Sequence, residues 1–123
     1  MQDNTVFVGF IEEPEKGDYF RLADAFVMPG RGEGFGFVFL EALACGVPCV
    51  GSQLDGSREA LRDGKLGELV DPDDPVSVRD GILRALDKPK VIPAGLAHFS
   101  WPRFRQRTAA AVHYLASTAS KPA

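Results

Sequence analysis

Two carboxylates and a run of alternating glycines fall in one short stretch, Gly30–Pro48, GRGEGFGFVFLEALACGVP. Gly30, Gly32, Gly34 and Gly36 let the backbone approach a bound group closely. The apolar run that follows reads as a helix, and a helix start offers unpaired N–H groups and partial positive charge. Together these make an anion site, most naturally for phosphate; a plain tight turn accommodates the same glycines. The loop is not a dinucleotide fingerprint, because Phe35 and Phe37 stand where its third glycine would fall, and it lacks the lysine of a P-loop. Glu33 lies inside the loop, and Glu41 follows it after seven intervening residues. The neighbours of Glu41 are Val38, Phe39, Leu40, Ala42, Leu43 and Ala44, so the helix is expected to be buried. A buried carboxylate needs donors, and two sugar hydroxyls would supply them. The alternative is that Glu41 marks the solvent face of an amphipathic helix.

Alternating strands and helices have to hold these groups. Thr5–Phe10, TVFVGF, reads as a buried strand. A helix follows with Asp18 as N-cap and Tyr19, Leu22 and Ala23 as its apolar stripe. Ala25–Pro29 is a second strand closed by proline, and Phe37–Cys45 is a helix stopped by Gly46. PCVGS is a third strand. Ser57–Arg62 is a short helix with Ser57 as N-cap and Gly64 as terminator. GELV is a fourth strand, and Asp73 or Asp74 caps a helix from Pro75 to about Leu86. A proline-broken connector leads to a last helix over 100–117, with Ser100 as cap and Pro102 in its first turn. The final TASKPA is expected to fray. This order predicts an α/β fold: a Rossmann-like three-layer α/β/α domain with a parallel sheet. Such sheets usually carry five or six strands, so a further piece upstream is expected.

Composition narrows the partners. The 123 residues make one domain, with a net charge of −3 and a pI near 5.3 that argue against nucleic acid. No apolar run is long enough to span a membrane, and the first ten residues lack the basic and apolar regions of a signal peptide. Cys45 and Cys49 lack metal or redox spacing and read as two buried thiols in a reducing cytosol. His98 and His113 lie far apart in sequence, with no cluster of ligands, so no metal site is expected. Arg103, Arg105 and Arg107 read as a solvated face of the last helix, with a membrane-surface helix as the alternative.

Glu33 and Glu41 within PGRGEGFGFVFLEALACGVPCV resemble the E-x7-E motif of retaining GT-B glycosyltransferases, glycosyltransferase group 1. The likeness extends through VFVGFI, LADAFVMP, DGSREALRDGKLGELVDPDDP and FSW, over about residues 5–117. It implies the C-terminal, nucleotide-sugar-binding half of a two-domain enzyme, here truncated. By the same resemblance an N-terminal domain, which binds the sugar or lipid-linked acceptor, is expected to be missing here. So is the early segment whose basic pair neutralises the diphosphate. By resemblance Glu33 faces the transferred sugar as the catalytic residue, and Glu41 accepts from the ribose of the donor. The amides of Gly34, Phe35, Gly36, Phe37 and Val38 hold the sugar and diphosphate, and Phe10 and Ile11 line the base. Arg31 and Arg58 are candidates to offset the missing basic pair, though each fits a surface or supporting arginine better. The donor is a nucleoside-diphosphate hexose, with no obligatory metal or other cofactor. The location implied is cytoplasmic, with peripheral membrane association of the full-length protein left open. The fragment alone is expected to be inactive. The resemblance also implies that the last helix leaves an apolar face open, and hence self-association. Two other classes of function compete: a stand-alone nucleotide- or phosphate-binding module acting with a partner chain, and a structural domain in which the loop is only a turn.

Overall fold

The computed structural model describes residues 2–119 and places five α-helices and three strands along them. Their order is α1 (Glu13–Leu22), β1 (Phe26–Met28), α2 (Phe37–Ala44), β2 (Cys49–Ser52), α3 (Ser57–Ala60), β3 (Glu68–Val70), α4 (Pro75–Leu86) and α5 (Trp101–Ala119). The strands form one parallel sheet in the order β1-β2-β3, with Val27 beside Val50 and Gly51 beside Leu69. Each parallel pair is joined by a helical crossover, which returns the chain to the end of the sheet from which the next strand must start. The chain divides into two compact units, the first running to Pro93 and the second starting at Ala94.

Successive residues of a strand face opposite sides of the sheet, and β2 uses both. Val50 and Val70 pack with Ala85 of α4, joined by Val78 and Ile82. On the other face, the space next to Gly51 is filled by Leu61, Ser57 and the Phe39 ring. The result is the expected Rossmann-like α/β/α layering. Edge-to-face contacts Phe20–Phe26 and Phe26–Phe39, each 5.5 Å between centroids, tie α1, β1 and α2 together.

Several boundaries follow the sequence. Asp74 accepts from the Val76 N–H at 2.9 Å, and Pro75 opens α4. The strands AFVM, PCVGS and GELV stand where expected, and α2 ends just before Gly46.

Others differ. Thr5–Phe10 is irregular and exposed rather than a buried strand, with Phe7 95% exposed. An apolar run becomes a parallel strand only against a neighbouring edge, and in the described sheet β1 pairs with β2 alone. The described residues therefore carry three strands, not four. α1 starts five residues before Asp18, with Pro14 and two acidic side chains in its first turn, which suit the helix start. Asp18 instead pairs with Arg21 at 2.8 Å, and the buried residue of α1 is Phe20, while Tyr19 and Leu22 face outward. α3 stops at Ala60 because Arg62 and Asp63 take left-handed φ of 50° and 52°. Asp55, not Ser57, accepts from the first amide of α3 at 2.9 Å. α2 is buried on one side only: Phe39, Ala42 and Leu43 face the core, while Phe37 is 72% exposed. Cys49 is buried, and burial pushes its thiol up to about 12; Cys45 is only half-buried.

In the second unit a 3-10 segment, Ala94–Phe99, precedes α5. The Ser100 carbonyl accepts from the Phe104 N–H at 2.9 Å, putting Ser100 at the helix start as expected. No residue of α5 is buried. Thr118 and Ala119 are helical, and the remainder of the TASKPA segment lies outside the described residues.

Candidate functional site

The loops that leave β1, β2 and β3 meet at the carboxyl ends of the strands, where open α/β sheets hold their ligands. Two cross-links tie them. Arg31, on the loop after β1, donates from Nε to Asp73 Oδ1 at 3.0 Å and makes a second contact from Nη2 to Oδ2. Asp73 follows β3. Gly56, on the loop after β2, donates its N–H to the Glu33 carbonyl at 2.8 Å. The two backbones cross so closely that a Cβ at Gly56 would overlap the carbonyl of Gly34 and lie 2.8 Å from that of Glu33. Only glycine fits there.

Glu33 is the centre of this crossing. Its N–H donates to Asp55 Oδ2 at 3.3 Å, and its own Oε1 accepts from the Phe35 N–H at 3.2 Å. Asp55 therefore grips both strand-end loops through Glu33 and Ser57. Partial burial pushes the Asp55 carboxyl up. The adjacent Ser57 hydroxyl and the amides of Ser57 and Glu33 more than offset it, leaving the carboxyl below its ordinary value. The Ser57 hydroxyl itself is buried and makes no hydrogen bond of good geometry.

Gly36 then turns the loop into α2. Its φ of 87° lies in the left-handed region, and a Cβ there would sit 2.6 Å from the Phe39 ring. No side chain caps α2, which leaves its first-turn amides without a side-chain acceptor at the cap. Phe35 and Phe37 bring their rings within 5.1 Å beside that turn.

Glu41 lies one turn beyond Phe37, on the same outer side of α2. Its carboxylate is neither buried nor free. Oε2 takes the ammonium of Lys16 from α1 at 2.8 Å, and the two side chains are 41% and 31% exposed. Lys16 also reaches Glu13 at 3.3 Å. Hydrogen bonds to Glu41 and then Glu13 raise the Lys16 pKa, so its charge persists.

The structure thus places Glu33, Gly34, Phe35 and Gly36 on the loop, with the Phe35 N–H taken by Glu33 Oε1, and Phe37, Val38 and Glu41 on α2 itself. Phe10 is exposed and Ile11 half-buried, both on the irregular run that leads into α1. Arg31 and Arg58 are each engaged by carboxylates, Arg58 with Asp63 at 2.9 Å, as supporting or surface arginines would be. Among the described residues no cluster of three metal-ligating side chains occurs, and no helix is long and apolar enough to cross a membrane.

Sequence reasoning missed Lys16, Asp55, Gly56 and Asp73. The Asp55–Gly56 pair carries a turn signature and sits just past a strand, a signal that could have placed it against the glycine loop. Lys16 offered none, since its partner is 25 residues away on another helix.

Comparison with known proteins gives a consistent picture. The family model described as glycosyl transferases group 1 matches residues 1–94. The D-inositol 3-phosphate glycosyltransferase of Geodermatophilus obscurus is 40% identical over 90 residues, covering 70% of this chain and 20% of that protein. The protein of the same name from Thermobispora bispora is 38% identical over 104 residues, 79% of this chain and 24% of its own length. The phosphatidyl-myo-inositol mannosyltransferase of Mycobacterium leprae is 40% identical over 81 residues, 65% of this chain and 22% of that protein. The chain therefore spans about a fifth to a quarter of these relatives.

Proposed function

The chain belongs to the group 1 glycosyl transferases, and we propose that it is the donor-binding part of a retaining GT-B enzyme moving a hexose from a nucleoside-diphosphate sugar. The observation that carries this reading is the uncapped start of α2, entered through the glycine loop at the carboxyl end of the sheet. In this reading the amides of Gly34–Val38 hold the sugar and the diphosphate. As the bond to the sugar breaks, charge grows on the leaving diphosphate, and fixed N–H dipoles stabilise it with no obligatory metal. Glu33 faces the transferred sugar, Glu41 accepts from the ribose, and Phe10 and Ile11 line the base.

The names of the relatives support an acceptor class: the whole protein passes its sugar to an inositol phosphate or phosphatidylinositol. In this reading the chain contributes the donor contacts, and sugar transfer is a property of the whole protein, of whose relatives the chain spans about a fifth to a quarter. A cytoplasmic location fits a soluble nucleotide-sugar pool.

The test is an amide-shift NMR titration of the chain with UDP-, GDP- and ADP-sugars. Shifts at Gly34–Val38 with one nucleotide, lost in Glu41→Gln, are expected. Shifts confined to residues remote from this loop would overturn the assignment.

A further inference from the structure

A half-exposed ion pair contributes little to stability, about 0–1 kcal/mol, so the Lys16–Glu41 contact calls for another explanation. Its setting is specific. α1 is anchored by Phe20, buried against Phe26. One residue after Lys16, the Gly17 carbonyl meets Cys45 Sγ at 3.9 Å, and Cys45 lies one helical turn after Glu41. The two helices are thus keyed together at Gly17–Cys45, and that register delivers the Lys16 ammonium to Glu41. Glu13 holds the same ammonium from its other side. The close contact falls on Glu41 Oε2, and the carboxylate side chain stays 41% exposed.

We infer that Lys16 is a positioning residue for the donor site: it clamps Glu41 Oε2, fixes the carboxylate rotamer and leaves Oε1 as the oxygen presented to a ribose hydroxyl. This rests on the donor-site reading above. It assigns to α1, which carries no residue of the E-x7-E motif, a share in recognising the sugar of the nucleotide. Glu41 would then meet the ribose with its other oxygen on a pre-set side chain, rather than with a mobile carboxylate that has to be ordered on binding.

The experiment measures binding of UDP, GDP and ADP by calorimetry, then repeats the best of them as its 2′,3′-dideoxy form. The variants are Lys16→Met, Lys16→Arg and Glu41→Gln, with thermal unfolding recorded for each. Lys16→Met is expected to weaken ribonucleotide binding about three- to tenfold, the scale of re-ordering one charged side chain. Lys16→Arg should recover most of that loss. On the dideoxy nucleotide Lys16→Met should bind like the unaltered chain, because the hydroxyl that Glu41 receives is gone. A loss of equal size on both nucleotides would assign Lys16 to the phosphates or to the fold and overturn the inference. Unchanged binding by Lys16→Met, with binding still lost in Glu41→Gln, overturns it while sparing the donor-site reading. No effect of Glu41→Gln on a nucleotide that binds, or no binding of any of the three, overturns both.

Discussion

Gly36→Ala tests the turn on which the site depends. The residue is left-handed, with φ at 87°, and the added methyl would lie 2.6 Å and 2.9 Å from two carbons of the Phe39 ring. An L-residue in the left-handed region costs about 1–2 kcal/mol. Phe39 is fully buried and packed edge-on against Phe26, so the ring has nowhere to retreat. Forcing it aside adds an overpacking penalty of about 1–3 kcal/mol. The sum is about 3 kcal/mol, a large share of the roughly 5–15 kcal/mol that holds a domain together. With a urea slope of about 1.5 kcal/mol per molar, the midpoint should fall by roughly 2 M. Gly32→Ala is the control: no atom lies within 4 Å of a methyl there and its φ is ordinary. It should change stability by less than about 0.5 kcal/mol. The only tryptophan, Trp101, lies in the second unit, so its fluorescence follows other residues. Amide NMR signals of Val50, Val70 and Ala85 report the unit that matters. Equal midpoints for Gly36→Ala and Gly32→Ala would refute the claim that the loop is set by the close packing of Gly36 on Phe39.

Glu68 accepts from Arg84 at 2.7 Å and Lys88 at 2.5 Å, and is mostly buried. Burial pushes its carboxyl up, but the two cations outweigh it and hold the pKa below the ordinary value. Its stabilisation is therefore whole above the ordinary carboxylate range and fades as pH falls through the lowered value. Glu68→Gln should cost about 1 kcal/mol at neutral pH, since both cations are half exposed, and should flatten the acid limb of the stability profile. Unfolding midpoints from pH 7 down to pH 3 check both. Asp74→Ala removes the α4 cap and should lower stability by about 1 kcal/mol by urea titration. With iodoacetamide at pH 8, Cys45 should be alkylated well before Cys49, whose thiol is buried and pushed up to about 12; peptide mass spectrometry orders the two.

The layered α/β plan was legible because its signals are local. Pro75 after Asp74, proline closing AFVM and Gly46 after an apolar run each act on their own neighbours, and each boundary fell where expected. Thr5–Phe10 was misread because strand formation is not local: VFVGF has strand composition whether or not an edge stands beside it. Asp18 was misread because a cap signal counts only where a helix begins, and Pro14 had already begun it.

The site divides in the same way. The glycine loop and the two glutamates could be picked out because they share one stretch of chain, and Gly36 indeed turns that loop into an uncapped helix start. What holds the loop is long-range: Asp55 under Glu33, Gly56 across Gly34, Asp73 on Arg31. Glu41 is the instructive case. Sequence offered two alternatives, a buried carboxylate seeking donors or a mark of the solvent face. The structure gives a half-exposed carboxylate on the outer side of α2 that already holds one donor, Lys16. The two alternatives shared the assumption that α2 meets either core or water. A second helix at its side makes a third environment. There, an acidic residue among apolar neighbours meets neither core nor open water but a cation from the adjoining helix, which holds one of its oxygens.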